Sequence, residues 1–470
     1  MSLEADVLAT LQPGFVGTEV PSWLRDAHTA GLVSVCLYGD NIGPDGGVAE
    51  ACSALLRDLP GVLLAADEEG GDVTRLHYPG GSTTVGNGVL GRVDDVEVTR
   101  GAARAVGGEL AALGIGLDLA PVVDVNSSPE NPVIGVRSFG DDPEVVARHT
   151  AAWVEGLQDT GVTACAKHFP GHGDTVTDSH HALPRVDVPL EVLRARELVP
   201  FRAAVEAGVE CVMTSHILVT ALDADRPATF SPSVIGMLRD ELGFQGVLVS
   251  DALDMAGASA ETGIPEAAVR ALAAGVDLLC LGSATGEALL TEVRDGVLAA
   301  VREGLLPEQR VAEAAARVRR LARRTLRPPT SPPARPVDDD AVAGAFTLTD
   351  AARRFVASPR PLAVVQVGSR ANLAVGAVAW GPAALGATVD EAEVPEGARV
   401  AVVARSAAAD HPAHEVVARL RAGGHETVLV DCGWPRGGAD VVTWGASPAV
   451  ARVLVAVLGG SVPPPAVAPA

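Results

Sequence analysis

Residues 162–168 read VTACAKH: small and apolar side chains run unbroken until the chain closes on Lys167 and His168. A near-continuous apolar run marks a parallel strand buried on both faces, and a polar pair at its carboxyl end marks the edge where such sheets do chemistry. Working outward, the same pattern recurs at 13–17 (PGFVG), 32–37 (LVSVCL), 61–66 (GVLLAA), 115–119 (IGLDL), 209–214 (VECVMT), 246–250 (GVLVS) and 275–281 (GVDLLCL). Ala/Leu/Arg-rich stretches at helical spacing, such as 101–113 and 142–160, separate the runs. Eight strand–helix units within residues 1–327 predict an α/β fold of the TIM (β/α)8 barrel type. A doubly wound open sheet shares these local patterns. Its dinucleotide-binding version is disfavoured, because no Gly-x-Gly-x-x-Gly follows the first run.

The 470 residues allow two or three domains at about 150 residues each, or one barrel with an appendage. At 328–336 the chain reads PPTSPPARP, a proline density that forbids helix or central strand and predicts a linker over 328–339. Beyond it, 361–367, 399–404 and 426–431 are again buried-strand runs, so 340–460 is expected to be a smaller α/β sandwich-like domain, with 461–470 a frayed tail. A net charge of −23 argues against nucleic acid as a partner, since phosphate binding needs a basic face. No stretch reaches the ~20 apolar residues of a membrane helix, and the N-terminus lacks a basic segment followed by an apolar one. A cytoplasmic location is the expectation. The six cysteines form no Cys-x-x-Cys pair and read as buried thiols of a reducing compartment.

The polar residues least expected in such strands gather at their carboxyl ends. Asp67-Glu68-Glu69-Gly70-Gly71 follows the third run, Ser215-His216 the sixth, and Asp251 the seventh. One acid after a strand is often a helix cap; four polar sites on one rim predict a pocket. The segment 167–181 (KHFPGHGDTVTDSHH) carries four of the eleven histidines. His172, Asp174 and His180 are metal-ligand types, but the paired histidines that a barrel metallohydrolase supplies after its first strand are missing from 13–20. No cofactor is expected.

The segment KHFPGHGDT…DSH resembles the signature of glycoside hydrolase family 3, in its NagZ-like β-N-acetylglucosaminidase branch. The likeness extends through 66–76 (ADEEGGDVTRL), 114–126 (GIGLDLAPVVDVN), 131–140 (NPVIGVRSFG), 212–217 (VMTSHI) and 249–255 (VSDALDM), in the family's order. What the resemblance implies is retaining hydrolysis of a β-linked N-acetylglucosaminide, with Asp251 as nucleophile. His180, oriented by Asp178, would be the acid/base. Asp67, Arg75, Arg137, Lys167, His168 and His216 match positions that bind sugar hydroxyls, with the alternative that Arg75 and Arg137 prop the rim through Glu68 or Asp124. His172 and Asp174 are expected to shape the loop. Asp72 stands where relatives commonly carry arginine.

An imidazole titrates near neutrality, so it can protonate a leaving oxygen and then deprotonate water. Unlike a carboxylate it does not repel an anion, which makes inorganic phosphate an alternative acceptor, with Arg75 and Lys167 available to attract it. Aromatic residues at 3% argue against an extended stacking platform, and so for small substrates such as GlcNAc-anhydro-MurNAc fragments or chitobiose. His411 and His414 are the candidates for a contribution from the second domain, against a solvated loop at HPAHE.

Overall fold

The computed structural model describes residues 2–43, 47–176, 183–260, 262–324, 337–368 and 374–465. The first part is built on β1 (Leu11–Gln12), β2 (Ser34–Leu37), β3 (Leu63–Ala66), β4 (Ile115–Asp118), β5 (Thr163–Phe169), β6 (Cys211–Thr214), β7 (Val247–Val249) and β8 (Leu279–Cys280). Strands β2 to β7 pair in chain order as a parallel, curled six-stranded sheet. β1 pairs with β8, Leu11 opposite Leu279. Two further links tie that pair to the sheet: Cys36 donates its backbone N–H to the Pro13 carbonyl (3.0 Å), and Ser250 to that of Leu278 (2.9 Å).

The runs read from sequence fall on these strands with one displacement. The first strand is Leu11–Gln12 rather than 13–17. Pro13 has no N–H to give a ladder, and Gly17 turns at φ +90°, so the chain leaves the sheet there. The eighth run is also trimmed, to two residues.

Helices cover the outer face. Val96–Ala112 packs against Pro143–Gln158, which in turn packs against Leu198–Glu206. Each of the first two starts where the sequence dictates: Asp95 accepts from the N–H groups of Glu97 and Val98, and Asp142 accepts from Glu144 N–H with Pro143 at the first helical position. Trp153, fully buried under this layer, contacts Phe139 edge-on at 6.3 Å. The N-terminal helix Leu3–Ala9 packs on Glu308–Arg324, and Arg319 fixes the contact by donating to Asp6 and to the Ala5 carbonyl (2.7 Å).

Of the expected linker 328–339, residues 328–336 lie outside the described residues, and Asp338 already caps the helix Asp339–Ala345. C-terminal to it a second, five-stranded sheet forms from β9 (Thr347–Leu348), β10 (Leu362–Gln366), β11 (Arg399–Ala404), β12 (Glu426–Asp431) and β13 (Val441–Val442), in the order β9-β13-β12-β11-β10. β10 to β13 are parallel and β9 is antiparallel. Its carboxyl edge meets the first part. Asp72 accepts from Ala446 N–H at 2.8 Å and lies 3.5 Å from the Arg405 guanidinium, which stacks on Trp380. Asp72 thus spends its charge on the seam. The expected tail is tethered at its start: Ser461 N–H donates to Ala456, and Val462 packs on the core. Among the described residues, no helix is long and apolar enough to cross a membrane.

Candidate active site

The carboxyl ends of β3, β5, β7 and β8 surround a cavity of about 320 Å3. Its wall is organised by a buried charge network. Lys167, 2% exposed, is carried inward by β5, and its ammonium lies 2.7 Å from Asp67 Oδ1 and 2.7 Å from Glu69 Oε1. Arg137 grips Glu69 with both arms of its fork, Nε at 2.9 Å and Nη2 at 2.8 Å. Burial disfavours the Glu69 charge, but Arg137 and Lys167 overcome that and hold its carboxyl well below the usual range. Lys167 is likewise held well above the usual range by Asp67 and Glu69 despite its burial. Gly70 and Gly71, both at positive φ, turn the chain sharply enough to present Glu69 inward.

Glu68 pins the same turn. Its Oε2 accepts from Thr74 Oγ1 and from the N–H groups of Arg75 and Leu76, at 2.8, 2.8 and 2.9 Å. The Arg75 guanidinium reaches the Ala374 carbonyl of the second part at 3.0 Å, with Asp67 at 3.8 Å. The rim-propping alternative therefore holds for Arg137 with a different partner: it binds Glu69, not Glu68 or Asp124.

Asp124, fully buried, instead organises the β5 loop. It accepts from His168 Nδ1 at 2.7 Å and from His172 N–H at 2.7 Å. That leaves His168 Nε2 to face the cavity its ring lines. Burial pushes His172 down to about 4, against the pull of Asp124, so the ring is neutral near pH 7. It also lines the cavity, which the sequence reading did not assign to it. Asp174 is bound by Arg196 at 2.7 Å, and Arg196 also holds the buried Glu197 at 2.6 Å.

Asp251 stands two residues beyond β7, half-buried on the cavity wall, and accepts from Ala252 N–H at 2.8 Å. His216 does not line the cavity. It is fully buried, with its ring nitrogens 3.0 Å from the Ala252 carbonyl and 2.9 Å from Thr229 Oγ1, so it buttresses the turn that carries Asp251. Asp178 and His180 lie outside the described residues. His411 and His414 bind their own loop, through Ala413 N–H and the Ala407 carbonyl, whereas among the described residues of the second part it is Ala374 that lines the cavity. Glu69 and Ala374 as cavity-lining residues, and Asp124 as the support of His168 and His172, were missed. The signal for Glu69 was present in the acid-rich turn; nothing local marks Ala374.

Comparisons agree with this architecture. The family description "Glycosyl hydrolase family 3 N terminal domain" matches residues 16–321. A β-hexosaminidase A of Pseudoalteromonas piscicida is 42% identical over 234 residues, spanning 46% of this chain and 39% of that relative, so less than half of its length is matched. The β-hexosaminidase LpqI of Mycobacterium tuberculosis is 38% identical over 63% of this chain and 78% of its own. A solved family 3 β-N-acetylglucosaminidase from Paenibacillus sp. str. FPU-7 superposes with a TM-score of 0.84 at 30% identity, covering 99% of this chain and 98% of that one. With the family's region spanning the six-stranded curled sheet and more than half of its residues, the chain belongs to glycoside hydrolase family 3.

Proposed function

We propose that this enzyme is a retaining β-N-acetylglucosaminidase that works at a closed (β/α)8 barrel, residues 1–327, with the second domain over 340–460 capping one side of the cavity. The observation that carries the reading is Asp251 at a strand end, on the same cavity wall as the Asp67–Lys167–Glu69–Arg137 network. The names of the Mycobacterium and Paenibacillus relatives support the N-acetylhexosaminide class.

In the proposed reaction an Asp251 carboxylate oxygen attacks the anomeric carbon while the glycosidic C–O bond breaks. His180, oriented by Asp178, donates its proton to the leaving oxygen. The same histidine then takes a proton from water, whose oxygen displaces Asp251. Lys167, Arg137, Arg75, Asp67 and His168 would hold the sugar hydroxyls, since charged partners make the stronger hydrogen bonds. Pre-set ion pairs keep these groups from reorganising during the reaction. Lys167 and Arg137 are already matched by Asp67 and Glu69, which weakens their pull on an anion. Water is therefore favoured over phosphate as acceptor, and a small GlcNAc glycoside, a muropeptide fragment or chitobiose, is the proposed substrate.

The test is a slow 5-fluoro or 2-deoxy-2-fluoro glycoside, which should leave a mass adduct on the peptide containing Asp251. Asp251→Ala should lose activity by several orders of magnitude and remain folded. Labelling elsewhere sinks the assignment. Turnover of aryl N-acetylglucosaminide, glucoside and xyloside, with and without phosphate, checks sugar and acceptor together.

A further inference from the structure

The seam between the two sheets holds a second cavity that this chemistry does not use. It measures about 160 Å3 and is lined by Arg92, Phe139, Asp141, Asp142, Trp434 and Trp444, among others. Trp434 follows β12 and Trp444 follows β13, so both stand at the carboxyl ends of parallel strands. That edge, and the crevice between two structural units, are where α/β folds take ligands.

Aromatic side chains are scarce here, at 3% of the sequence, yet three of them line this cavity. The two indoles meet edge to face, 5.4 Å between centroids and 86° between planes, and form an aromatic corner. Both are half-buried, leaving part of each surface open. The Arg92 guanidinium lies over Trp444 at 5.0 Å, and Trp444 Nε1 donates to Thr347 Oγ1 at 3.2 Å. Asp141 and Asp142 are exposed beside the corner. An apolar face next to carboxylates and a guanidinium matches a pyranose, which has one C–H face and a ring of hydroxyls.

The backbone is shaped around this space. Trp444 holds φ +59°, an unusual conformation for so bulky a residue. Gly88 and Gly91, three apart on the helix Asn87–Val93, let that helix lie flat. A Cβ would meet the Trp444 carbonyl at 2.6 Å from the first and the Phe139 carbonyl at 1.6 Å from the second.

We propose that the seam cavity is a second carbohydrate site, taking one neutral pyranose of the N-acetylglucosamine type. The identity of the sugar rests on the proposed function; the two carboxylates disfavour an anionic ligand. No described residue lines both cavities, and the segment Gly135–Arg137 is the nearest link between them. Trp434 Cβ lies 3.5 Å from where a side chain at Gly135 would begin, and Asn87 Nδ2 donates to the Arg137 carbonyl at 2.8 Å. Segment 135–137 thus runs between the two cavities, with Arg137 on the side of the first.

The experiment titrates full-length Asp251→Asn, which cannot turn over, with N,N′-diacetylchitobiose. A component of binding should weaken about ten-fold in Trp434→Ala and in the surface variant Asp141→Asn, each made in the same background. If both variants bind the disaccharide as their parent does, there is no second site. That outcome is separable from failure of the proposed function, which would appear as wild-type protein inert toward aryl β-N-acetylglucosaminide.

Discussion

Glu69→Gln changes one atom and should be among the costliest single substitutions in the chain. The carboxylate is 3% exposed and carries three charge-assisted bonds, two from Arg137 and one from Lys167. Amidation removes the carboxylate that Arg137 grips with two bonds, and leaves the buried Lys167 with Asp67 as its ion-pair partner. Removing one partner of such a buried pair costs about 3–5 kcal/mol, because the remaining charge stays desolvated. The amide oxygen still accepts, so the lower end, about 3 kcal/mol, is expected for Gln and the upper end for Ala. The assay is urea unfolding, read on the transition that carries loss of the catalytic cavity, since two sheets need not melt together. kcat/KM on an aryl N-acetylglucosaminide should fall about a hundred-fold as Arg137 and Lys167 shift. Glu69→Gln/Lys167→Met should recover part of the lost stability by removing one uncompensated cation. An unchanged midpoint with full activity, or a double variant weaker than the sum of its parts, would refute the electrostatic account.

Three further outcomes are expected. His180→Ala should slow glycosides with poor leaving groups far more than activated aryl glycosides; equal losses across a leaving-group series would make His180 structural. Burial, against the pull of Arg196, raises Glu197 to about 7 from 4.5. The unfolded chain therefore releases this proton first, and stability falls by about 3 kcal/mol as pH rises through that window. Glu197→Gln should flatten the fall, and matching urea midpoints at pH 5 and pH 8 in wild type would count against it. Asp72→Ala strips the seam of the carboxylate that accepts from Ala446 N–H and faces Arg405, so limited proteolysis should cut between the two sheets faster; an unchanged digestion rate would show that other contacts hold them.

Much of the first part could be read from the chain because a buried parallel strand must be apolar along its whole length. The runs at 399–404 and 426–431 coincide with their strands for the same reason. Where a strand has only two residues, as in β1, the run is too short to fix its register, and the neighbouring Pro13 and Gly14 look like part of it. The site divides along a similar line. That Asp67, Arg75, Arg137, Lys167, His168 and Asp251 line one cavity was legible because each closes an apolar run or sits in a family motif. The pairing of Glu69 with Arg137 spans 68 positions, and the reach of Arg75 to Ala374 spans 299. No local pattern encodes such contacts. His216 shows the converse: its motif marks it as a sugar ligand, while its hydrogen bonds make it a support for the Asp251 turn.

The pairing of β1 with β8 has a consequence for synthesis. Leu11 finds its partner at Leu279, and the helix preceding Leu11 waits for Arg319. A ribosome delivers the first strand early and its neighbour on that side last, so the nascent chain must hold Leu11–Gln12 unclosed through most of translation. Chains halted before residue 279 should therefore aggregate or recruit chaperones, while chains released after Arg324 should not, a contrast measurable with stalled nascent polypeptides.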